Sequence, residues 1–265
     1  GMSKILPASY AGLLAVNIVF GKGLFGVPTN GELSKMYPTL VTPAPATFAI
    51  WGPIFLLQMG GTVLLATGDD PQRMLAVGAP WVTTWFLECV WQGIFATAPR
   101  PASSGSAARK LMTFGPSAVM LLGAHAAMLT AGARLSSASD VEPRALGGLF
   151  VDFATGLNAG WLAAASGIGI TLAAQHFGPM RPLATPGGGA ALVIALSLYG
   201  AGASAYLGRA PHSVLVGLGY ATATACALRG ICKKEGVVPS VHRSARLGLW
   251  LAGAGAVAAL IQAIR

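Results

Sequence analysis

Long apolar stretches recur along this chain, and short segments between them hold most of its charged residues. A helix needs roughly 17–25 apolar residues to cross about 30 Å of hydrocarbon. Eight stretches meet or approach that length, over residues 5–20, 46–67, 77–97, 111–131, 145–174, 189–207, 213–232 and 247–264. The pattern therefore predicts an all-α fold, a polytopic transmembrane helix bundle of about eight spans.

Charge and composition support this prediction. Only 9% of the residues are charged and 54% are hydrophobic, whereas an ordinary soluble domain has roughly 25% charged residues. All 17 lysines and arginines fall outside the predicted spans or at their ends, as insertion energetics require. The loops on the side opposite the termini carry the larger share, so we expect that side to face the cytoplasm, matrix or stroma.

The formal net charge of +9 could indicate a nucleic-acid-binding protein. The basic residues are scattered over several loops, however, and do not form one basic domain. We therefore expect no nucleic-acid partner. Anionic lipid headgroups are the expected partners of the basic segments 229–234 and 243–246.

Two acidic residues, Glu88 and Asp152, lie within predicted spans. Ionisable groups at that depth are costly, so they normally face a bundle interior or a cavity. On the third span, one helical stripe also carries Trp81, Trp85 and Gln92. The stripe fits the lining of a site for a ligand with a planar apolar body and polar edges. Alternatively, a Glu–Gln hydrogen bond there only fixes helix contacts.

An aromatic face is predicted on the second span, where Phe48, Trp51 and Phe55 recur at helical spacing. Pro53 interrupts the same span and should bend it. The aromatic face is explained either by helix packing or by a pocket wall that stacks on a flat ligand.

His125 lies midway along the fourth span. It could be the partner of a buried carboxyl group, or an axial ligand to haem or to the magnesium of chlorophyll. A lone histidine in a span is more often a hydrogen-bonded structural residue. On the fifth span, Gly156 and Gly160 form a GxxxG pair that permits close helix approach.

Signatures of catalysis are missing from the sequence. It contains no phosphate-binding GxxxxGK[ST], no HExxH, no GxSxG and no paired Cys/His metal spacing. The longest loop between predicted spans has about 25 residues, too few for an independent catalytic domain. We expect a protein that is not an enzyme and holds no metal ion of its own.

Three segments resemble the TspO/MBR family, the tryptophan-rich sensory or translocator proteins. The stretch "NGELSKMYPTLVTPAPATFAIWGPIFLL" resembles the entrance loop and second helix of the family. "WVTTWFLECVWQGIFAT" is similar to its third helix and "FATGLNAGWLAAASGIGI" to its fifth. Two alignments of the fifth compete, one anchored on "FATGLN", which ends at Asn158, and one on "GWLAAAS".

The resemblance implies a five-helix core over residues 1–174, followed by three additional spans in 175–265. Family members bind tetrapyrroles and sterols and have proposed roles in transport, porphyrin handling and stress sensing. The resemblance and the polar residues together give ten candidate ligand-binding side chains: Phe48, Trp51, Phe55, Trp81, Trp85, Glu88, Gln92, His125, Asp152 and Asn158.

Three functions remain open at this point. The one ranked last is a proton-coupled transporter that uses Glu88 and Asp152 as relay carboxylates, because no inverted repeat is visible in the sequence. The first is a carrier or sensor for a tetrapyrrole, such as porphyrin, haem or chlorophyll, or for a sterol or another lipid. The second is a structural subunit, in contact with pigment, of a respiratory or photosynthetic membrane complex. We expect contacts with membrane lipids and with copies of the chain or other membrane subunits. An organellar membrane, mitochondrial or plastid, is expected in preference to a bacterial inner membrane.

Overall fold

The computed structural model describes residues 1–68, 70–138 and 145–264 of the chain, and within them it contains helices and no strand. The α-helices are α1 (Met2–Lys22), α2 (Asn30–Met36), α3 (Trp51–Ala66), α4 (Pro71–Phe95), α5 (Ala107–Ser137), α6 (Ala145–Gly147), α7 (Ala154–Ala174), α8 (Pro186–Leu207), α9 (Val214–Cys232) and α10 (Pro239–Ile264). A π-helical segment, Gly148–Phe153, joins α6 to α7. The all-α prediction is confirmed.

The eight predicted spans correspond to eight long helical segments. Seven of them are long and apolar enough to cross a membrane: Met2–Lys22, Pro45–Ala66, Ala107–Ser137, Ala145–Ala174, Pro186–Leu207, Pro211–Cys232 and Pro239–Gln262. The eighth, α4, has 25 residues, so it is long enough. Its arginine, glutamate, glutamines and threonines make it less apolar than the other seven. The chain is an integral, multi-pass membrane protein.

Local sequence signals explain where the helices begin. Asp70 caps α4 by accepting a hydrogen bond from the backbone N–H of Arg73, and Pro71 follows at the first helical position. Ser106 and Thr185 cap α5 and α8 in the same way. A 3₁₀-helical segment, Pro45–Ile50, leads into α3. The irregular geometry expected from Pro53 therefore lies in the turn that precedes this proline.

The helices pack around α4 and α7. Helix α4 lies against α1 and α5, α5 lies against α7, and α7 lies against α9. A Cβ atom on Gly156 would collide with the backbone of Val216, and one on Gly160 with the carbonyl oxygen of Tyr220. The predicted close approach at this GxxxG pair is therefore confirmed, and its partner is α9.

Helices α9 and α10 belong to the segment predicted as an addition to the five-helix core. Helix α9 packs directly on α7, and α10 packs on α8 and α9. The backbone N–H of Ala44, before α3, also donates to the carbonyl oxygen of Gly230 on α9. The additional helices thus support the walls of the core. The division at residue 174 remains a prediction.

Candidate functional site

A cleft of about 230 Å³ lies between α1, α2, α3 and α4. We call it the Glu88 cleft. Its lining combines aromatic rings with polar side chains: Asn17, Gly21, Asn30, Trp51, Phe55, Glu88, Trp91 and Gln92. These residues lie in the last turns of α1 and α4, in the first turns of α3 and at the first position of α2. The cleft therefore lies at one end of the bundle, which we call the cleft end.

One wall of the cleft is aromatic. The rings of Trp51 and Phe55 are stacked, with centroids 5.4 Å apart and planes inclined by 22°. Behind them Trp161 of α7 meets Trp51 edge-on, at a centroid distance of 6.2 Å, and Phe48 edge-on at 5.7 Å. Trp51 and Phe55 are only half-buried. The wall thus presents a supported aromatic surface of the kind that holds planar ligands.

Glu88 is the ionisable group of the cleft. Its side chain is almost fully buried, with 3% exposure, yet it lines the open volume. Its hydrogen-bond partner is Asn158 of α7, whose Nδ2 donates to Oε1 over 3.5 Å. That distance is long for a hydrogen bond. Glu88 therefore retains capacity to bond a group that enters the cleft.

A chain of side-chain amides closes the outer part of the cleft. Asn30 Nδ2 donates to Gln92 Oε1 over 2.8 Å. Gln92 Nε2 in turn donates to Asn17 Oδ1 over 2.9 Å, and Asn17 Nδ2 donates to the carbonyl oxygen of Leu13. The amides orient one another, so the polar edge of the cleft is preorganised.

The short helix α2 places Asn30 over the cleft. Its capping box pairs Thr29 with Glu32: each side chain bonds the backbone N–H of the other residue. The hydrogen bonds from the backbone and hydroxyl of Thr29 lower the pKa of Glu32. Buried Leu33 and Tyr37, whose hydroxyl donates to the carbonyl oxygen of Pro99, hold the segment against the bundle.

Trp81 and Trp85 lie in the core of the bundle and do not line the cleft. Trp81 Nε1 donates to Thr155 Oγ1 over 3.1 Å, and Trp85 Nε1 donates to Gln58 Oε1 over 3.3 Å. Their rings are 5.5 Å apart, and Tyr10 packs on Trp85 at 5.0 Å. These indoles support the cleft from behind.

His125 lies in another part of the bundle. Its Nδ1 is 2.9 Å from the carbonyl oxygen of Ala159, and its Nε2 is 2.7 Å from the hydroxyl oxygen of Tyr199. Both ring nitrogens are therefore engaged, which leaves neither free to ligate a tetrapyrrole metal in this conformation. The two contacts link α5 to α7 and α8, as expected of a hydrogen-bonded structural residue.

Asp152 is also remote from the cleft, in the π-helical segment. Both of its oxygens accept hydrogen bonds from Arg73, from Nε and Nη2, each over 2.8 Å. Arg73 Nη1 donates to Asp70 over 2.7 Å. The three residues are at most 6% exposed. The cationic partner of Asp152 is thus Arg73, and not His125 as the sequence allowed.

Of the ten predicted side chains, the structure brings four to the cleft surface: Trp51, Phe55, Glu88 and Gln92. Asn158 and Phe48 lie directly behind that surface. Sequence reasoning missed Asn17, Asn30 and Trp91. Asn17 is a polar residue inside the apolar first span, and this position could have identified it as a candidate site residue. Asn30 lies in a loop, and no sequence pattern places it against α4.

Comparison with protein families finds that the model of one family, described as TSPO-like protein, matches residues 5–199. The match includes all three resembling segments and continues beyond residue 174 into α8. Comparisons with curated proteins and with solved structures give no match. The family match covers about three quarters of the 265 residues and includes every residue of the Glu88 cleft. The chain therefore belongs to the TSPO-like family.

Proposed function

We propose that this protein binds a planar hydrophobic ligand with polar edges, a tetrapyrrole or a sterol, in the Glu88 cleft. It acts as a carrier or sensor and catalyses no reaction. One observation carries the proposal: a buried carboxyl group with a single long hydrogen bond lies beside a supported aromatic wall. Intramembrane carboxyl groups that lack saturating partners are typical of ligand and ion sites.

The size of the cleft limits how a ligand is held. Pockets that enclose drug-sized molecules are roughly 300–1,000 Å³, and the cleft is about 230 Å³. One edge of a tetrapyrrole or one ring of a sterol therefore enters, stacked on Trp51 and Phe55. The remainder of the ligand lies outside, towards the surrounding lipid, unless α2 moves away.

Basic residues in the segments next to the cleft favour a tetrapyrrole over a sterol. Lys22 follows Gly21 of the cleft lining, and Arg100 Nη2 lies 3.5 Å from the carbonyl oxygen of Gly26. These cations would attract the carboxylate substituents of a porphyrin, whereas a sterol has no such group. Inside the cleft, the Glu88 carboxyl group and the Asn17 and Gln92 amides suit pyrrole N–H groups or a hydroxyl.

A direct test uses the protein solubilised mildly from its native membrane, an organellar one by our proposal. Size-exclusion chromatography with full absorbance spectra across the peak would show both particle size and bound pigment. A small particle that carries or takes up protoporphyrin supports the proposal. Migration only with a much larger assembly would favour a structural, pigment-contacting subunit.

A further inference from the structure

A line of buried polar groups follows α4 through the bundle, and only its cleft end is used by the proposed ligand site. Arg73, Trp81, Trp85, Glu88 and Gln92 each form a polar contact with another helix or with α2. Residues 73 and 92 are 19 positions apart, or about 28 Å along the helix. That is close to the roughly 30 Å thickness of the hydrocarbon core.

Three polar atoms beside this line have no hydrogen-bond partner within the described part of the chain: Gln58 Nε2, Thr62 Oγ1 and Asn158 Oδ1. Gln58 and Asn158 are fully buried, and Thr62 is 4% exposed. Buried polar groups in proteins are nearly always bonded, to the protein or to ordered water. Each of these atoms can therefore form a further hydrogen bond.

The three residues belong to α3 and α7, and two of them contact neighbouring turns of α4, so we infer one seam between these helices. Gln58 accepts from Trp85, and Asn158 donates to Glu88, one turn further along α4. Thr62 is one turn from Gln58 on α3, on the side away from the cleft. Gln58 Nε2 is a donor and Asn158 Oδ1 an acceptor, so water between them could satisfy both.

Thr62 differs from other buried threonines in the spans. Thr84, Thr155 and Thr171 each donate to the carbonyl oxygen four residues earlier, which is the usual arrangement for a hydroxyl inside a helix. The hydroxyl of Thr62 makes no such bond to Gln58. It is therefore able to donate to one water molecule and accept from another.

The seam continues on α7 towards the buried ion cluster. Thr155, which accepts from Trp81, lies one turn from Asp152, and Asp152 is held by Arg73. Asp70 completes the cluster at the first turn of α4. Polar groups thus line the route from Glu88 to the opposite end of the bundle, which we call the Arg73 end.

We propose that this seam holds a chain of water molecules and conducts protons across the membrane between Glu88 and the Arg73 end. A hydronium ion at the cleft protonates the Glu88 carboxylate and is left as water. The carboxyl group then passes its proton to the first water of the seam and becomes a carboxylate again, and the last water of the seam releases a proton to bulk water at the Arg73 end. Each later step protonates one oxygen and deprotonates its neighbour, with the Thr62 hydroxyl as one relay. The steps need no oxidant or reductant, and they do not depend on a ligand in the cleft.

The test reconstitutes the full chain in phosphatidylcholine vesicles that contain a trapped pH-sensitive dye. A potassium gradient with valinomycin drives proton entry. The expected rate is several-fold above that of protein-free vesicles. Thr62→Val, which keeps the shape and removes the hydroxyl, should lower the rate towards the protein-free value, and Thr62→Ser should retain it. Thr222→Val is the matched control, because exposed Thr222 bonds only its own helix.

Two results would overturn the proposal: a wild-type rate equal to that of protein-free vesicles, or a Thr62→Val rate equal to that of the wild type. Gln58→Leu provides a second variant, with the same expected loss, should Thr62→Val fail to elute as a folded particle. Protoporphyrin binding by Thr62→Val should be unchanged. That readout separates the failure of proton conduction from the failure of the ligand site.

Discussion

The Glu88 cleft and the Arg73 cluster each contain a buried acidic residue, and they differ in how its oxygens are occupied. Asp152 accepts two short hydrogen bonds from a guanidinium group, whereas Glu88 accepts one long bond from an amide. Asp152 is closed in by protein, and Glu88 lines an open cleft. Their positions inside predicted spans made both residues candidates for the ligand site. What distinguishes a structural carboxylate from one available to a ligand is how many of its hydrogen-bonding positions the protein already occupies.

The largest expected effect is on stability, at the Arg73 cluster. Asp152→Asn would remove one of the two carboxylates that bond the buried Arg73 guanidinium group within the described residues. Breaking a buried ion pair costs about 3–5 kcal/mol, and the remaining pair with Asp70 favours the lower end. Thermal unfolding in detergent, followed by loss of the size-exclusion peak, should shift down by several degrees. An unchanged transition would show that the cluster does not hold the fold.

The second expectation concerns removal of all three charges of the Arg73 cluster. Replacing buried ion pairs by neutral residues of similar size is often neutral in stability. Arg73→Met and Asp152→Leu combined with Asp70→Asn, which still caps α4, should therefore be more stable than Asp152→Asn alone. The same unfolding measurement would compare the two variants. If the triple variant is the less stable one, the charges contribute net stability to the fold.

These two regions also show how far sequence reasoning reaches. The helices were predictable because each span needs a long apolar stretch, and the Trp51, Phe55, Glu88 and Gln92 positions followed from helical spacing. The partners were not predictable in the same way. Asn30 and Asn17 reach Gln92 across 62 and 75 residues of sequence, and only tertiary packing makes such contacts.

Arg73 is the clearest example of this limit. Its position at the end of an apolar stretch is typical of a basic residue that reaches the headgroups. The structure instead places it 1% exposed against Asp152, 79 residues away. Similarly, the spacing of Trp81 and Trp85 put them on the Glu88 stripe correctly. Their burial behind the cleft depends on α3 and α7, whose placement no local pattern encodes.

A third prediction tests the aromatic wall of the cleft. Trp51→Leu should weaken protoporphyrin binding by about three- to tenfold, since an aromatic contact contributes about 0.5–1.5 kcal/mol beyond its buried area. The matched control is Trp250→Leu, at a tryptophan that is 80% exposed. Titration followed by porphyrin fluorescence would compare them. Equal affinities for the two variants would show that the aromatic wall does not contribute to ligand binding.

The smallest expected effect is a pH dependence confined to the cleft end. Because its native pKa is lowered, Glu32 stabilises α2 above its unfolded-state pKa, and this contribution is lost as the pH falls through the native value. Acidification should therefore loosen α2 and increase iodide quenching of tryptophan fluorescence. Thr29→Val removes the hydroxyl that bonds Glu32 and should reduce the pH-dependent change. If Thr29→Val shows the same pH profile as the wild type, the capping box does not control the cleft.

The most direct test of the account measures protoporphyrin affinity and thermal stability of Glu88→Gln together. The account predicts a transition close to that of the wild type, because the single long bond from Asn158 contributes little. It also predicts an affinity at least about tenfold lower, since hydrogen bonds to a charged group contribute about 1.5–3 kcal/mol. A variant that binds protoporphyrin as tightly as the wild type, or that unfolds as readily as Asp152→Asn, would contradict the assignment of Glu88 to the ligand site.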